Sequence, residues 1–143
     1  MGSPSASFLP GSIAEVIPLE EQVIRLSPSD PDIYEFYFVI GLVHLLQSRT
    51  DEAVVWLERA RSANSKFPPH GYLASAYALK GETERAAAEL AEARRLYDRY
   101  SSIERLKAAG TQAGPGYWGV PKIAALYEAT YFAGLRRAGL PEE

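Results

Sequence analysis

Two stretches of this chain repeat each other thirty-three positions apart, and that repeat constrains the fold more than any other feature. The first reads YEFYFVIGLVHLLQSRTDEAVVWLERARSANS from Tyr34, and the second reads FPPHGYLASAYALKGETERAAAELAEARRLYD from Phe67. Gly41 matches Ala74, His44 matches Tyr77 and Thr50 matches Thr83. Ala53 matches Ala86, Leu57 matches Leu90 and Ala60 matches Ala93. A fixed period of this length marks a stacked array of helical hairpins, in which no unit buries its apolar face alone. Small residues at Gly41, Ala74, Ala53 and Ala86 let the two helices of a hairpin approach, and Leu57 and Leu90 fill the space between. The expected fold is therefore all-α.

The matched positions resemble the tetratricopeptide repeat family, whose pattern asks for Trp, then Leu-Gly, Tyr, Ala and a large apolar residue. Tyr37, Ile40, Gly41, His44, Ala53 and Leu57 answer it in the first copy; His70, Leu73, Ala74, Tyr77, Ala86 and Leu90 answer it in the second. Neither copy has the Trp, the closing Pro is replaced by Ser65 and Asp98, and the period is one residue short of the family's about 34. The resemblance implies a right-handed superhelix of antiparallel helix pairs with a concave groove lined by the first helix of each pair.

Around the repeats the chain divides as a flexible leader (1–11), a half repeat (12–28), repeats over 34–66 and 67–99, and a C-terminal cap over 101–140. Ser12 is expected to cap a helix to Leu26, with Ile13, Ile17, Val23 and Leu26 inward. Pro18 either bends it or marks its start. Glu20, in the slot equivalent to Leu57, suggests that this half repeat is only partly covered. Asp30-Pro31-Asp32 is a helix start, with an acid as cap and Pro in the first turn. Thr50 is expected to cap the next helix, Gly81 to break the one after Pro68-Pro69, and Thr83 to open its partner. Ser101 and Glu104 form a capping box for a short helix that stops at Gly110. TQAGPGYWGV reads as a loop anchored by Tyr117 and Trp118, and Pro121 begins a final helix closed by Gly139. Ile123, Leu126, Tyr127, Tyr131 and Leu135 form one stripe on that helix, expected to bury against the helix ending near Tyr97. Phe132 falls off the stripe.

The run YEATYFAGLRRAGLPEE, after a repeat pair preceded by IRLSPSDPD, also resembles the C-terminal region of bacterial proteins that carry a class III adenylate or guanylate cyclase domain, or a winged-helix domain, ahead of such repeats. That resemblance implies a regulatory appendage and carries over no catalytic residue.

The chemistry-bearing side chains mostly have structural readings. His44 sits where an aromatic usually faces the hairpin core, and His70 stands at a helix start. With 2 histidines and 0 cysteines a metal site has few ligands to draw on, and no metal or cofactor is expected. Adjacent acids, Glu20-Glu21 and Asp51-Glu52, diverge on a helix and cannot flank one bond. Arg94-Arg95 and Arg136-Arg137 lie near helix C-termini, where the dipole favours cations. The glycines of AGPGYWG lack the Lys-Ser/Thr of a phosphate loop. Trp56 either packs on the preceding helix or stands on the convex face. With no nucleophile–base pair, an enzyme is not expected. A net charge of −3, from 18 acidic against 15 basic residues, gives no nucleic-acid footprint. No apolar run approaches the roughly 20 residues that span a bilayer, so a cytoplasmic protein is expected.

What remains is the groove. The register points Glu35, Phe38, Leu42, Leu45 and Leu46 into it from one repeat, with Tyr72, Ser75, Ala78 and Leu79 from the next. These are apolar positions suited to an amphipathic helix or extended segment. The alternative is that the chain's own C-terminal part fills the surface. The expected function is a protein-interaction or scaffolding module that binds a partner peptide, a neighbouring domain of a parent chain or a second copy. The rival is a regulatory or sensory region of a cyclase or transcription regulator, acting by dimerisation or small-ligand binding.

Overall fold

The computed structural model describes residues 15–112 and 121–143, and among these every regular element is helical. The hairpin helices are α1 (Val16–Leu26), α2 (Ile33–Leu46), α3 (Thr50–Ala63), α4 (His70–Lys80) and α5 (Thr83–Leu96). A 3-10 turn, Asp98–Ser101, leads into α6 (Ile103–Gln112). The chain closes with α7 (Pro121–Tyr127), a π-helical turn (Glu128–Phe132) and α8 (Ala133–Ala138). These last three form one continuous helix, since Tyr127, Phe132 and Ala133 all keep helical backbone angles. The expectations for Ser12, Ile13, Tyr117 and Trp118 lie outside the described residues.

The sequence repeat is also a repeat of backbone bonding. Arg49 N–H donates to the His44 carbonyl at 2.8 Å, and thirty-three residues later Glu82 N–H donates to Tyr77 at 2.9 Å. The turn residues just before, Ser48 and Gly81, both take positive φ, 62° and 91°. Glycine does so freely, whereas Ser48 carries a steric cost. The second helices end alike, with Asn64 N–H on Ala60 and Tyr97 N–H on Ala93. Thr50 and Thr83 are the first residues of α3 and α5, without the capping bond expected of Thr50.

Close approach within the first hairpin occurs at Gly41, where a Cβ would stand 2.8 Å from Leu57 Cγ. Ala53, Leu57, Ala74 and Ala86 are fully buried. α2 packs on α3, α4 on α5, and α3 on α4, so the two hairpins share one core. Polar ties join them as well: Tyr77 Oη donates to Glu58 Oε2 at 2.5 Å, and Glu89 holds both Arg61 (3.3 Å) and His70 Nδ1 (3.0 Å).

Several boundaries differ from expectation. Asp30 does not cap α2 through its side chain. Its Oδ1 accepts the Asp32 N–H at 2.8 Å in a tight turn, and the helix starts at Ile33. Pro18 lies in the first turn of α1, where a missing N–H costs nothing. α1 meets α2 through Val16, Ile17, Val39 and Val43. Leu26, beyond that contact, is 75% exposed rather than inward. Glu20 is inward instead, 3% exposed, and its Oε2 has no hydrogen-bond partner. Burial holds that carboxyl above the usual range. Ser102, not Ser101, caps α6, accepting the Arg105 N–H at 3.0 Å, and the helix runs past Gly110 to Gln112. Carbonyls of Pro141 and Glu142 accept the next free donors, Ile103 N–H (2.8 Å) and Glu104 N–H (3.0 Å).

Candidate binding groove

α2 and α4, the first helices of the two hairpins, carry the residues expected to line the groove. The final helix lies on this surface. α8 packs chiefly on α4 and only secondarily on α5, which corrects the expectation that the stripe meets the helix ending near Tyr97. The reason lies at Gly134: a Cβ there would stand 2.2 Å from Ser75 Oγ and 2.6 Å from the Ser75 carbonyl oxygen. With no side chain at Gly134 and a small one at Ser75, the two backbones touch. Ser75 Oγ then donates to the Tyr131 carbonyl at 2.9 Å, and its residue is fully buried.

Ile123, Tyr127, Tyr131 and Leu135 are buried, and Leu126 is half-buried. Phe132 is buried as well, at 2% exposure, against the expectation that it falls off the stripe. Two causes act together. The π-helical turn widens the helix at this point, so that Thr130, Tyr131 and Phe132 are all covered. α6 also supplies a second wall, with Lys107 Nζ 5.0 Å from the Phe132 ring centre and paired to Glu128 at 2.7 Å. Thr130 Oγ1 donates to the Leu126 carbonyl at 2.6 Å at the entry to the turn.

An aromatic chain crosses from this helix to α4 and α2. Tyr131 and Tyr100 share a hydroxyl hydrogen bond of 2.6 Å, and burial pushes both phenols up. Tyr72 stacks on Tyr131 with ring centres 4.5 Å apart, and Phe38 meets Tyr72 edge-on at 4.8 Å. Leu42, Leu45, Leu46, Ser75 and Ala78 are buried in this core, and Leu79 is half-buried beside a polar depression lined by Arg49, Asp51 and Lys80. Glu35, Phe38 and Tyr72 instead line an open cavity of about 280 Å3 among α2, α3 and α4, together with Tyr34, Ala60, Phe67 and Pro69. Tyr34 and Phe67 stack across it at 6.4 Å, and Phe67 is 62% exposed. The Tyr34 hydroxyl lies 3.4 Å from Glu35 Oε1, and its burial and then the Glu35 charge raise its pKa.

Tyr34, Phe67 and Pro69 were not among the expected groove residues. Tyr34 stands four residues before Phe38 on α2, so helical spacing offered a signal for it, whereas the connector carrying Phe67 and Pro69 has no period to read. His44 is buried at 8% exposure, and burial, then Arg49, depresses its pKa. His70 is half-buried against Glu89. Trp56 packs on Tyr37 at 5.8 Å and carries Arg59 over its ring at 4.6 Å. Among the described residues no group of His, Cys, Asp or Glu is arranged to hold a metal ion, and no helix is long and apolar enough to cross a membrane. No family model, curated protein or solved structure matches the chain.

Proposed function

We propose that this chain is a protein-interaction module of the tetratricopeptide-like kind: a superhelical stack of antiparallel helix pairs that receives a segment of a partner protein in its groove. The observation that carries this reading is the division of that groove. Its α4 stretch is filled by the chain's own last helix, while its α2–α3 end is left as an open aromatic cavity with Phe67 at the rim. An uncovered aromatic cluster costs hydrophobic free energy in water that a bound segment recovers. The partner-facing residues on this reading are Glu35, Phe38 and Tyr72 from the expected set, joined by Tyr34 and Phe67.

The test is selection of peptides from a random twelve-residue display library on the intact protein, with Phe67→Ala protein as counter-selection. The expected result is a family of peptides that binds the native chain and loses about tenfold or more in affinity on Phe67→Ala, the scale of a buried aromatic contact. Failure to enrich any sequence, or enrichment of peptides indifferent to Phe67 and Phe38, would refute the reading.

A further inference from the structure

Among the described residues the lining of the aromatic cavity carries one charged side chain, the Glu35 carboxylate, and no basic one. Elsewhere Glu89 is matched by Arg61, Glu92 by Arg95, and Glu128 by Lys107 and Arg136, whereas Glu20 is unpaired but enclosed. Glu35 is exposed, with only the long contact from the Tyr34 hydroxyl and no basic partner among the described residues. Rings of Tyr34, Phe38, Phe67 and Tyr72 surround the same space. Aromatic faces attract cations within about 6 Å of the ring centre. At about 280 Å3 the cavity is small for a cofactor and of a size for one long side chain.

From this juxtaposition we infer that the cavity receives an arginine side chain of the partner segment, its guanidinium lying among the four rings and its fork engaging Glu35. An apolar anchor would desolvate the Glu35 carboxylate without giving it a donor, which is unfavourable. Arginine suits the cavity better than lysine because its planar head is weakly hydrated, stacks on rings and can donate two parallel bonds to one carboxylate. The identity of the segment rests on the interaction-module reading; the chemistry of the cavity does not, and it can be measured with a free peptide.

The experiment titrates the isotopically labelled protein with a capped Gly-Ser-Arg-Ser-Gly peptide, and with versions carrying citrulline or leucine in the arginine position. Aromatic resonances of Tyr34, Phe38 and Tyr72 are followed by NMR. The arginine peptide is expected to shift them saturably. Citrulline, the same shape without the charge, should bind about tenfold or more weakly, and Glu35→Gln should cost the arginine peptide a similar factor. Phe67→Ala should weaken it too. Both variants change exposed side chains, and unchanged melting curves will show that the fold is kept. Equal binding of citrulline, tighter binding of leucine, or no saturable shift at 20 mM peptide overturns the inference. Library peptides that depend on Phe67 but carry no arginine would sink it while leaving the module reading standing. Arginine binding with no library peptide enriched would do the reverse.

Discussion

Gly134 offers the sharpest test of how the last helix is seated. Replacing it with alanine places a methyl 2.6 Å from the Ser75 carbonyl oxygen and 2.9 Å from Ser75 Cα, atoms that cannot rotate away. To restore ordinary contact near 3.4 Å, α8 must retreat from α4 by about 0.8 Å. A radial gap of about 0.5–1 Å forfeits roughly a quarter to a half of the dispersion between the surfaces it separates. Here those surfaces are Tyr131, Leu135 and the face of α4. Overpacking costs about 1–3 kcal/mol, here about 2–3 because the clash is with Ser75 backbone, against a gain of about 1 kcal/mol from replacing glycine inside a helix. The net expectation is a loss of about 1–2 kcal/mol for Gly134→Ala, and more for Gly134→Val, which adds bulk with less propensity gain. Urea denaturation followed by circular dichroism will measure it, and Tm should fall by about 4 °C per kcal/mol. Ser75→Ala removes the 2.2 Å Oγ clash but leaves the carbonyl. The double variant should therefore be less damaged than the sum of the singles by about 0.5 kcal/mol or more. Were Gly134→Ala as stable as wild type, or more so, the backbone contact between α8 and α4 would be wrong.

Three further outcomes are expected. Ending the chain before Pro121 should strip the α4 groove and produce dimers or aggregates by light scattering; a monodisperse product with unchanged Tm would show the helix to be dispensable. Glu20→Gln should stabilise the fold at pH 7 by about 1 kcal/mol, by removing a buried unpaired charge. Because burial raises the folded-state pKa of Glu20 above that of an ordinary carboxyl, the charged form is the disfavoured one. The gain should therefore shrink as pH falls through that raised value, and a loss at pH 7 would contradict the burial. For the tyrosine pair, Tyr100→Phe or Tyr131→Phe alone should cost about 1–2 kcal/mol by orphaning a buried hydroxyl, and the double variant less than the sum. Raised phenol pKa values mean the folded state holds its protons more tightly. Stability is then whole below about pH 10 and falls as pH rises above it, with Tyr77, pushed up to about 12, contributing to the same decline. A flat stability from pH 9 to pH 11 would count against the buried hydroxyls.

The hairpins were legible because their information is local and repeated. Gly41 against Leu57 and the break at Gly81 follow from one period. The seat of the last helix was harder to read. Its stripe announced an inward face without saying which helix it would meet, because Gly134 and Ser75 lie 59 positions apart and neither is distinctive alone. Phe132 was misread because a 3.6-residue period holds only where the helix is α, and the turn over Glu128–Phe132 is not. Glu20 was misread because a carboxyl suggests solvent, whereas its place on α1 faces α2. The aromatic cavity was half legible: the expected inner faces of α2 and α4 supplied Phe38 and Tyr72, but Phe67 sits in an aperiodic connector.

The helix over 121–138 belongs to the same chain as the face of α4 that it covers. A tethered occupant of that kind works at an effective concentration on the order of millimolar. A free helix of equal intrinsic affinity, present at about a micromolar, would then displace it only about one time in a thousand. Competition of that severity makes the α4 stretch a poor target for any external ligand and leaves the α2–α3 end as the place where an outside molecule meets no internal rival among the described residues.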